Sequence, residues 1–376
     1  MLNGQWVLND AVVTPTGLDV GWKATHAING FVAGLGYAFR FTCSGAATVS
    51  VVFRTKKGEA YRIYSKVVTS SFTGAIDFTA PTYTADAEVS IIGAGKGRVA
   101  VSDMSLVAAN PHKMDEPAVW SPYSYPPVGY QMVFNDEFQG TALNRRKWHT
   151  RMIYAGGTLD HLSGETQRYR DTHVVSGGIL KLPAKMESDG SVTSAMIRSE
   201  WTGRYGYFEA RVRMPKGIGV FPAFWLNPDV GTDGVLSWPP EIDMFEFVNN
   251  GKEDTANMLH SGIVCRNPAY PVTLISAQPT WNEQYGYWRA PFDFTDSFHT
   301  IGYEWTPGLA RLFVDGKHIY ARKCPWVRDD GSPGPNAHVI LNFALGGSWA
   351  GRHGVDTTAL SSSFDIAFVR VWQKKG

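Results

Sequence analysis

Net charge is almost absent from this chain of 376 residues: 35 basic and 34 acidic side chains leave +1, and charged residues make up only 18% of the total. A near-neutral protein does not gather nucleic acid or an anionic membrane through its overall field, so neither is expected as a partner. Cysteine is scarce as well. Cys43, Cys265 and Cys324 are odd in number and far apart, which writes neither a disulfide framework nor a CxxC metal site. The segment Met1 to Asp10 lacks the basic start and apolar run of a signal peptide, and no apolar stretch approaches the ~18 residues of a membrane span. A soluble chain is expected. HExxH and GxSxG do not occur, which removes the commonest zinc-protease and serine-hydrolase signatures. Gly93-Ala-Gly-Lys-Gly-Arg98 is neither GxGxxG nor a Walker loop, and no helix follows it to receive a phosphate; it reads as a hairpin turn.

Aromatic residues are what the chain has in excess: 13 Trp, 16 Tyr and 20 Phe. A surface low in charge and rich in flat rings suits a sugar better than a phosphate. The first hundred or so residues alternate apolar and polar positions, as in Tyr37-Ala-Phe-Arg-Phe41 and Ala47-Thr-Val-Ser-Val51, which predicts an antiparallel β-sandwich over 1–108. Residues 109–129 hold five prolines and little periodicity, the composition of a stiff linker. From 130 to 376 the pattern is again strand-rich, with Asp315-Gly316 closing a tight hairpin and no helix of three turns. Two large sheets packed face to face are expected there, so the fold class is all-β throughout.

The chemistry concentrates in Glu241-Ile-Asp-Met-Phe-Glu246, three carboxylates in six residues. On a strand Glu241 and Asp243 project to one face, whereas strict alternation would bury Glu246 with Ile242 and Met244. A β-bulge at Met244-Phe245 supplies the extra residue that brings Glu246 back to the carboxylate face. Neighbouring carboxylates push their pKa values apart, which is what glycoside hydrolysis needs: one ionised group to attack and one protonated group to give a proton. The outer glutamates sit about four strand steps apart, ~13 Å between Cα atoms, so long side chains must lean together. An acidic strand face neutralised by arginines, or a calcium site, would use the same residues.

The chain resembles glycoside hydrolase family 16, whose hallmark is E-[ILV]-D-x-x-E. The blocks that carry the likeness run from Val133-Phe-Asn-Asp-Glu-Phe138 through Glu165-Thr-Gln-Arg-Tyr-Arg170 and Gly203-Arg-Tyr-Gly-Tyr-Phe-Glu-Ala-Arg-Val-Arg-Met-Pro215. Pro222-Ala-Phe-Trp225, Phe298-His-Thr-Ile-Gly-Tyr-Glu-Trp305, Leu341-Asn-Phe-Ala-Leu-Gly-Gly347 and Val369-Arg-Val-Trp372 continue it, over roughly 240 residues. The resemblance implies a β-jelly-roll with a concave cleft and cleavage with retention of configuration, Glu241 acting as nucleophile, Asp243 as assisting carboxylate and Glu246 as acid/base. The six-residue spacing is similar to that of the bulged members, among them laminarinases, agarases and carrageenases. It implies an endo cut in a β-linked polysaccharide such as a β-1,3-glucan, a galactan or a bacterial exopolysaccharide. Trp238, Trp225 and Trp349 are candidate sugar platforms, with Arg198, Gln167 and His260 as polar contacts. No cofactor is expected. The aspartate that accompanies a structural calcium in many members is here Ala367, and Asp365 is only a partial substitute. The 1–108 sandwich is similar to a carbohydrate-binding module in size and strand pattern alone. Two further readings are a non-catalytic sugar-binding or adhesive protein and a virion-borne depolymerase. A monomer working outside the cell, or on a virion surface, is the expectation.

Overall fold

The computed structural model describes residues 6–7, 11–13, 23–94, 98–109, 114–115, 121–154, 157–162, 164–276 and 285–376. Among them only two short 3-10 turns, Ala350–His353 and Ala359–Ser361, interrupt an otherwise all-β chain. The chain divides into two units.

The first unit comprises Met1–Lys113 together with Ile153–Thr158 and Val230–Leu236. One of its sheets orders Trp6–Val7, Val99–Ala109, Gly36–Ser44 and Ser71–Thr79, with Ala11–Val13 also on Val99–Ala109. The other orders Lys23–Ile28, Ala87–Gly93, Ala47–Arg54 and Ala60–Val68. Alternate residues of both sheets, such as Phe39, Phe41, Val49, Val51, Phe53 and Val89, make one core, and Val230 joins it. The turn expected over Gly93–Arg98 falls on residues 95–97, which lie outside the described ones; of the strands that flank it, Ala87–Gly93 pairs within one sheet and Val99–Ala109 within the other.

The second unit holds Met114–Met152, Leu159–Asp229 and Ser237–Gly376, and is built of two large antiparallel sheets. Nine strands form one, including Ser363–Lys374, Gly206–Arg213, His299–Thr306, Gly308–Val314 and Lys317–Cys324 in that spatial order. Asp315 and Gly316 close the last hairpin with φ of 48° and 76°, the paired positive values that a two-residue turn demands. Seven strands form the other, in the order Trp148–His149, Met196–Gly203, Ala337–Leu345, Val220–Pro228, Glu241–Glu246, Met258–Val264 and Tyr285–Arg289. Phe208, Ala210, Ile301, Leu312, Val369 and Val371 of the first sheet meet Ile197, Phe224, Ile242, Ile263 and Leu341 of the second in a single core.

The proline-rich stretch is more than a linker. Its described part from Met114 onward belongs to the second unit, where it straps the outer side of the nine-stranded sheet. Ser124 Oγ and the Tyr125 backbone N–H both donate to the Glu209 carboxylate, and the Arg211 guanidinium lies 3.8 Å from the Tyr123 ring centroid. Asp115 accepts from Lys147 Nζ at 2.9 Å and from the Glu137 backbone N–H at 3.1 Å. Prolines that cannot join a ladder can still lie across one; residues 110–113 and 116–120 fall outside the described ones.

Candidate active site

The acidic segment is a strand, Glu241–Glu246, fifth in the seven-stranded sheet. Toward Met258–Val264, Asp243 pairs with Gly262 and Glu246 with His260, so three steps on one strand match two on the other. Toward Val220–Pro228, Phe245 pairs with Phe224 and Asp243 with Trp225, which leaves Met244 as the extra residue. That is the bulge which the parity of the three carboxylates requires. Ile242, Met244 and Phe245 are all fully buried in the core between the sheets, and the three carboxylates share the other face. Regular pairing would instead drive a glutamate into that core, at an effective cost of several kcal/mol for an ion. The bulge also disturbs the ladder at Asp243. Ser261 Oγ donates to the Asp243 carbonyl at 2.7 Å, and the Tyr320 and Tyr303 hydroxyls extend the chain at 2.9 and 3.1 Å into the core.

Register lines up two rows across the carboxylate face. One runs Tyr285, Gly262, Asp243, Trp225, Ile340, Arg198, His149; the next runs Tyr287, His260, Glu246, Ala223, Asn342, Met196. Trp238 Nε1 donates to Glu241 Oε2 at 2.7 Å, and the Arg266 guanidinium lies 4.5 Å from the Trp238 ring centroid. The Tyr285 hydroxyl donates to Asp243 Oδ2 at 2.9 Å. Glu246 Oε2 is buried without a hydrogen-bond partner. Beside it, His260 Nε2 stands 3.0 Å from Asp254 Oδ1, while Asp254 Oδ2 accepts from Trp349 Nε1 at 2.9 Å and Asn250 Nδ2 at 2.8 Å.

Burial raises the proton affinity of all three carboxyls. It lifts Asp243 to about 7 against the hydrogen bond from Tyr285, and Glu241 to about 8 with help from the charge of Asp243. Glu246 is pushed well above the carboxylate range, first by burial and then by the charges of Asp243 and Glu241. Donors favour the ionised form, and they reach Glu241 and Asp243. The proton therefore rests best on Glu246. Unfolded carboxyls ionise near pH 4, so between about pH 4 and pH 8 these three groups hold more protons in the folded protein than in the unfolded one, and their contribution to stability falls as pH rises. Glu246→Gln, which removes the cost of keeping a buried carboxyl protonated where its unfolded counterpart is ionised, is expected to raise the unfolding temperature at pH 8 by about 3 °C and to change it little at pH 5. Melting curves at the two pH values check this; an equal or lower unfolding temperature at pH 8 counts against it.

The other sequence candidates separate. Trp238, 37% exposed, touches Glu241 directly. Trp225 lies on the carboxylate face beside Asp243, its indole N–H fixed to Asn342 Oδ1 at 2.8 Å and its ring packed with Met196, Tyr169 and Ile340. Arg198 is buried on the same row. His260 and Trp349 meet edge to face, centroids 4.8 Å apart, next to Glu246. Gln167 is not a free contact. It is wholly buried, accepting from the Leu345 backbone N–H and donating to Glu165, so it holds the Glu165 loop in place. Tyr285 and Asp254 were not legible as site residues: Tyr285 stands 42 positions from Asp243, and Asp254, close behind Glu246, sits in a bend that no strand periodicity assigns to a face. The signal for Tyr285 was Gly262, a glycine inside a strand pattern. Among the described residues no group of three His, Cys, Asp or Glu could hold a metal ion, and Asp365 gives its carboxylate to Arg213 at 2.6 Å and Lys181 at 3.6 Å. Two cations at that carboxylate do not fit a calcium ligand.

A family model described as glycosyl hydrolases family 16 matches residues 163–362. The chain is 31% identical over 264 residues to a beta-glucanase of Rhodothermus marinus, covering 65% of this chain and 85% of that protein. It is 27% identical to a glucan endo-1,3-beta-glucosidase of Cryptopygus antarcticus, covering 64% and 90%. Among solved structures, the laminarinase from Rhodothermus marinus superposes with a TM-score of 0.53 at 28% identity, over 66% of this chain and 98% of that one.

Proposed function

The chain belongs to glycosyl hydrolases family 16, and on that premise we propose that Glu241, Asp243 and Glu246 carry out a retaining double displacement. The protein is a glycosidase, an endo-acting hydrolase of O-glycosyl bonds in β-linked polysaccharide. In the first step the Glu241 carboxylate attacks the anomeric carbon, the bond to the exocyclic oxygen breaks, and Glu246 delivers its proton to that oxygen. In the second step Glu246, now a carboxylate, takes a proton from water. That water attacks the same carbon and frees Glu241. Asp243 lies between them and stays charged while Glu241 is tied up as an ester, keeping Glu246 basic when it must act as a base. The observation that carries this reading is the bulge. It sets one carboxylate with a donor and one buried oxygen without a partner on the same face of one strand.

Trp238 would offer its exposed ring to a sugar beside Glu241, with His260 and Trp349 bordering the leaving-group side near Glu246. The named activities of the two relatives support a β-1,3-linked glucan as first substrate, ahead of a galactan or bacterial exopolysaccharide. A polymer of that kind is met outside the cell, which supports an extracellular place of action. The first unit would serve as an accessory to the second, on size and strand pattern only. Proton NMR of the first products from laminarin is expected to show the β anomer, before mutarotation. Reducing-end release across laminarin, mixed-linkage glucan, agarose, carrageenan and bacterial exopolysaccharides ranks the substrates. An α anomer appearing first overturns retention, and no release from laminarin moves the assignment to whichever polymer is cut.

A further inference from the structure

We propose that Tyr285 is a positioning residue of the carboxylate triad, its hydroxyl fixing Asp243, and that Gly262 is the gap in the sheet which lets it reach. This rests on the reading of Glu241, Asp243 and Glu246 given above. Tyr285 and Asp243 stand on strands separated by a third, Met258–Val264, and share one row with Gly262 between them. Strands lie ~4.8 Å apart, so the two backbones are about 10 Å from each other and no side chain standing upright could bridge them. The tyrosine must lie flat across the intervening strand. It does so at Gly262: a Cβ added there would lie 2.2 Å from Tyr285 Cε1 and 2.5 Å from its Cδ1, closer than any real contact. Only glycine leaves that path open, and the hydroxyl at its end meets Asp243 Oδ2 at 2.9 Å.

Three observations therefore converge on one carboxylate: the row, the missing side chain and the hydrogen bond. The charged and titratable groups that face Asp243 are Glu241 and Glu246 on its own strand, Tyr285 and, one row on, His260 from the strands on one side, and Arg198 along the row on the other. Burial and the neighbouring Asp243 hold the phenol proton on Tyr285, so it stays a donor. A donor on Asp243 favours its ionised form, and the one proton shared by Asp243 and Glu246 is kept on Glu246, where the leaving oxygen needs it. Ser261 secures the same residue from behind through its backbone carbonyl.

Tyr285→Phe keeps the ring and removes the hydroxyl. The expected result is a kcat lowered about 10- to 100-fold with KM changed less than about twofold, and an acid limb of kcat/KM moved up by about one pH unit as Asp243 takes a proton more readily. Gly262→Ala, which touches no carboxylate, is expected to move the acid limb the same way. Added to Tyr285→Ala it should change nothing further, within about twofold. Thermal melts accompany each variant, and Gly262→Ala decides the matter if Tyr285→Phe is unstable. An unmoved acid limb overturns the proposal. So does a raised KM with kcat and pH profile intact, which would make Tyr285 a sugar contact. Glu241→Gln measured alongside separates the two levels: if that variant turns over normally, the triad reading fails, whatever Tyr285 does.

Discussion

Glu241→Gln is expected to lower turnover of a β-linked polysaccharide by at least about 10⁴-fold while leaving its binding within about twofold. A carboxamide is neutral at every working pH and does not displace an alkoxide from an anomeric carbon. Its oxygen still accepts the Trp238 indole N–H that meets Glu241 Oε2 at 2.7 Å, so the side chain keeps its place and the neighbouring ring keeps its exposure. Removing one negative charge also relieves Asp243 and Glu246, whose proton affinities burial has already raised, so the variant should fold at least as well as the parent. Loss of activity then cannot be blamed on loss of structure. Reducing-end release gives the rate, and retardation in gels containing the polysaccharide gives the binding. Hydrolysis near the parental rate would falsify the nucleophile assignment. Binding lost together with activity would place Glu241 in substrate recognition instead.

The part of this site that could be read in the sequence is the part governed by local periodicity. Glu241 and Glu246 have opposite parity on a strand, both are too costly to bury as ions, and so the bulge at Met244-Phe245 follows from the residues alone. The turn at Asp315-Gly316 is legible for the same reason, being set by two residues that tolerate positive φ. What periodicity does not carry is register between distant strands. Nothing in Tyr285 announces Asp243, and nothing in Asp254 announces His260; the first pair meets because three strands align with Gly262 leaving the way open, the second because the bend at Asp254 sets its carboxylate against the next strand. The burial of Gln167, named from the sequence as a polar contact, was not legible because it depends on the Glu165 loop folding back on Leu345. The strap from Met114 onward reads as a linker since its prolines exclude a ladder. The Glu209 carboxylate that anchors it is an alternate residue of a strand some 80 positions later, buried on a face that pattern alone would leave to solvent.

Glu246→Ala should divide substrates by their leaving groups. On polysaccharide, whose departing oxygen is a poor leaving group, the loss is expected to be about 10³- to 10⁴-fold, at the upper end of what a positioned acid contributes. On an aryl glycoside with an acidic phenol the first step needs no proton and should continue, so the glycosyl-enzyme on Glu241 forms and then waits for a base that is missing. Azide needs no base. It should restore turnover in proportion to its concentration and yield a β-glycosyl azide, since both displacements invert. The surroundings of Glu246 favour this rescue. Truncation removes a buried carboxyl with an unpartnered oxygen, leaving room on the face shared with Glu241, and it takes away the carboxylate that, once its proton is given up, would repel an incoming anion. The alkaline limb of the pH profile should vanish with the group that causes it, while the acid limb, set by Glu241 and Asp243, remains. If azide fails to restore turnover, or if the polysaccharide is still cut with an alkaline limb in place, the proton comes from elsewhere. His260, buried 3.0 Å from Asp254 on the same row, would be the next group to replace.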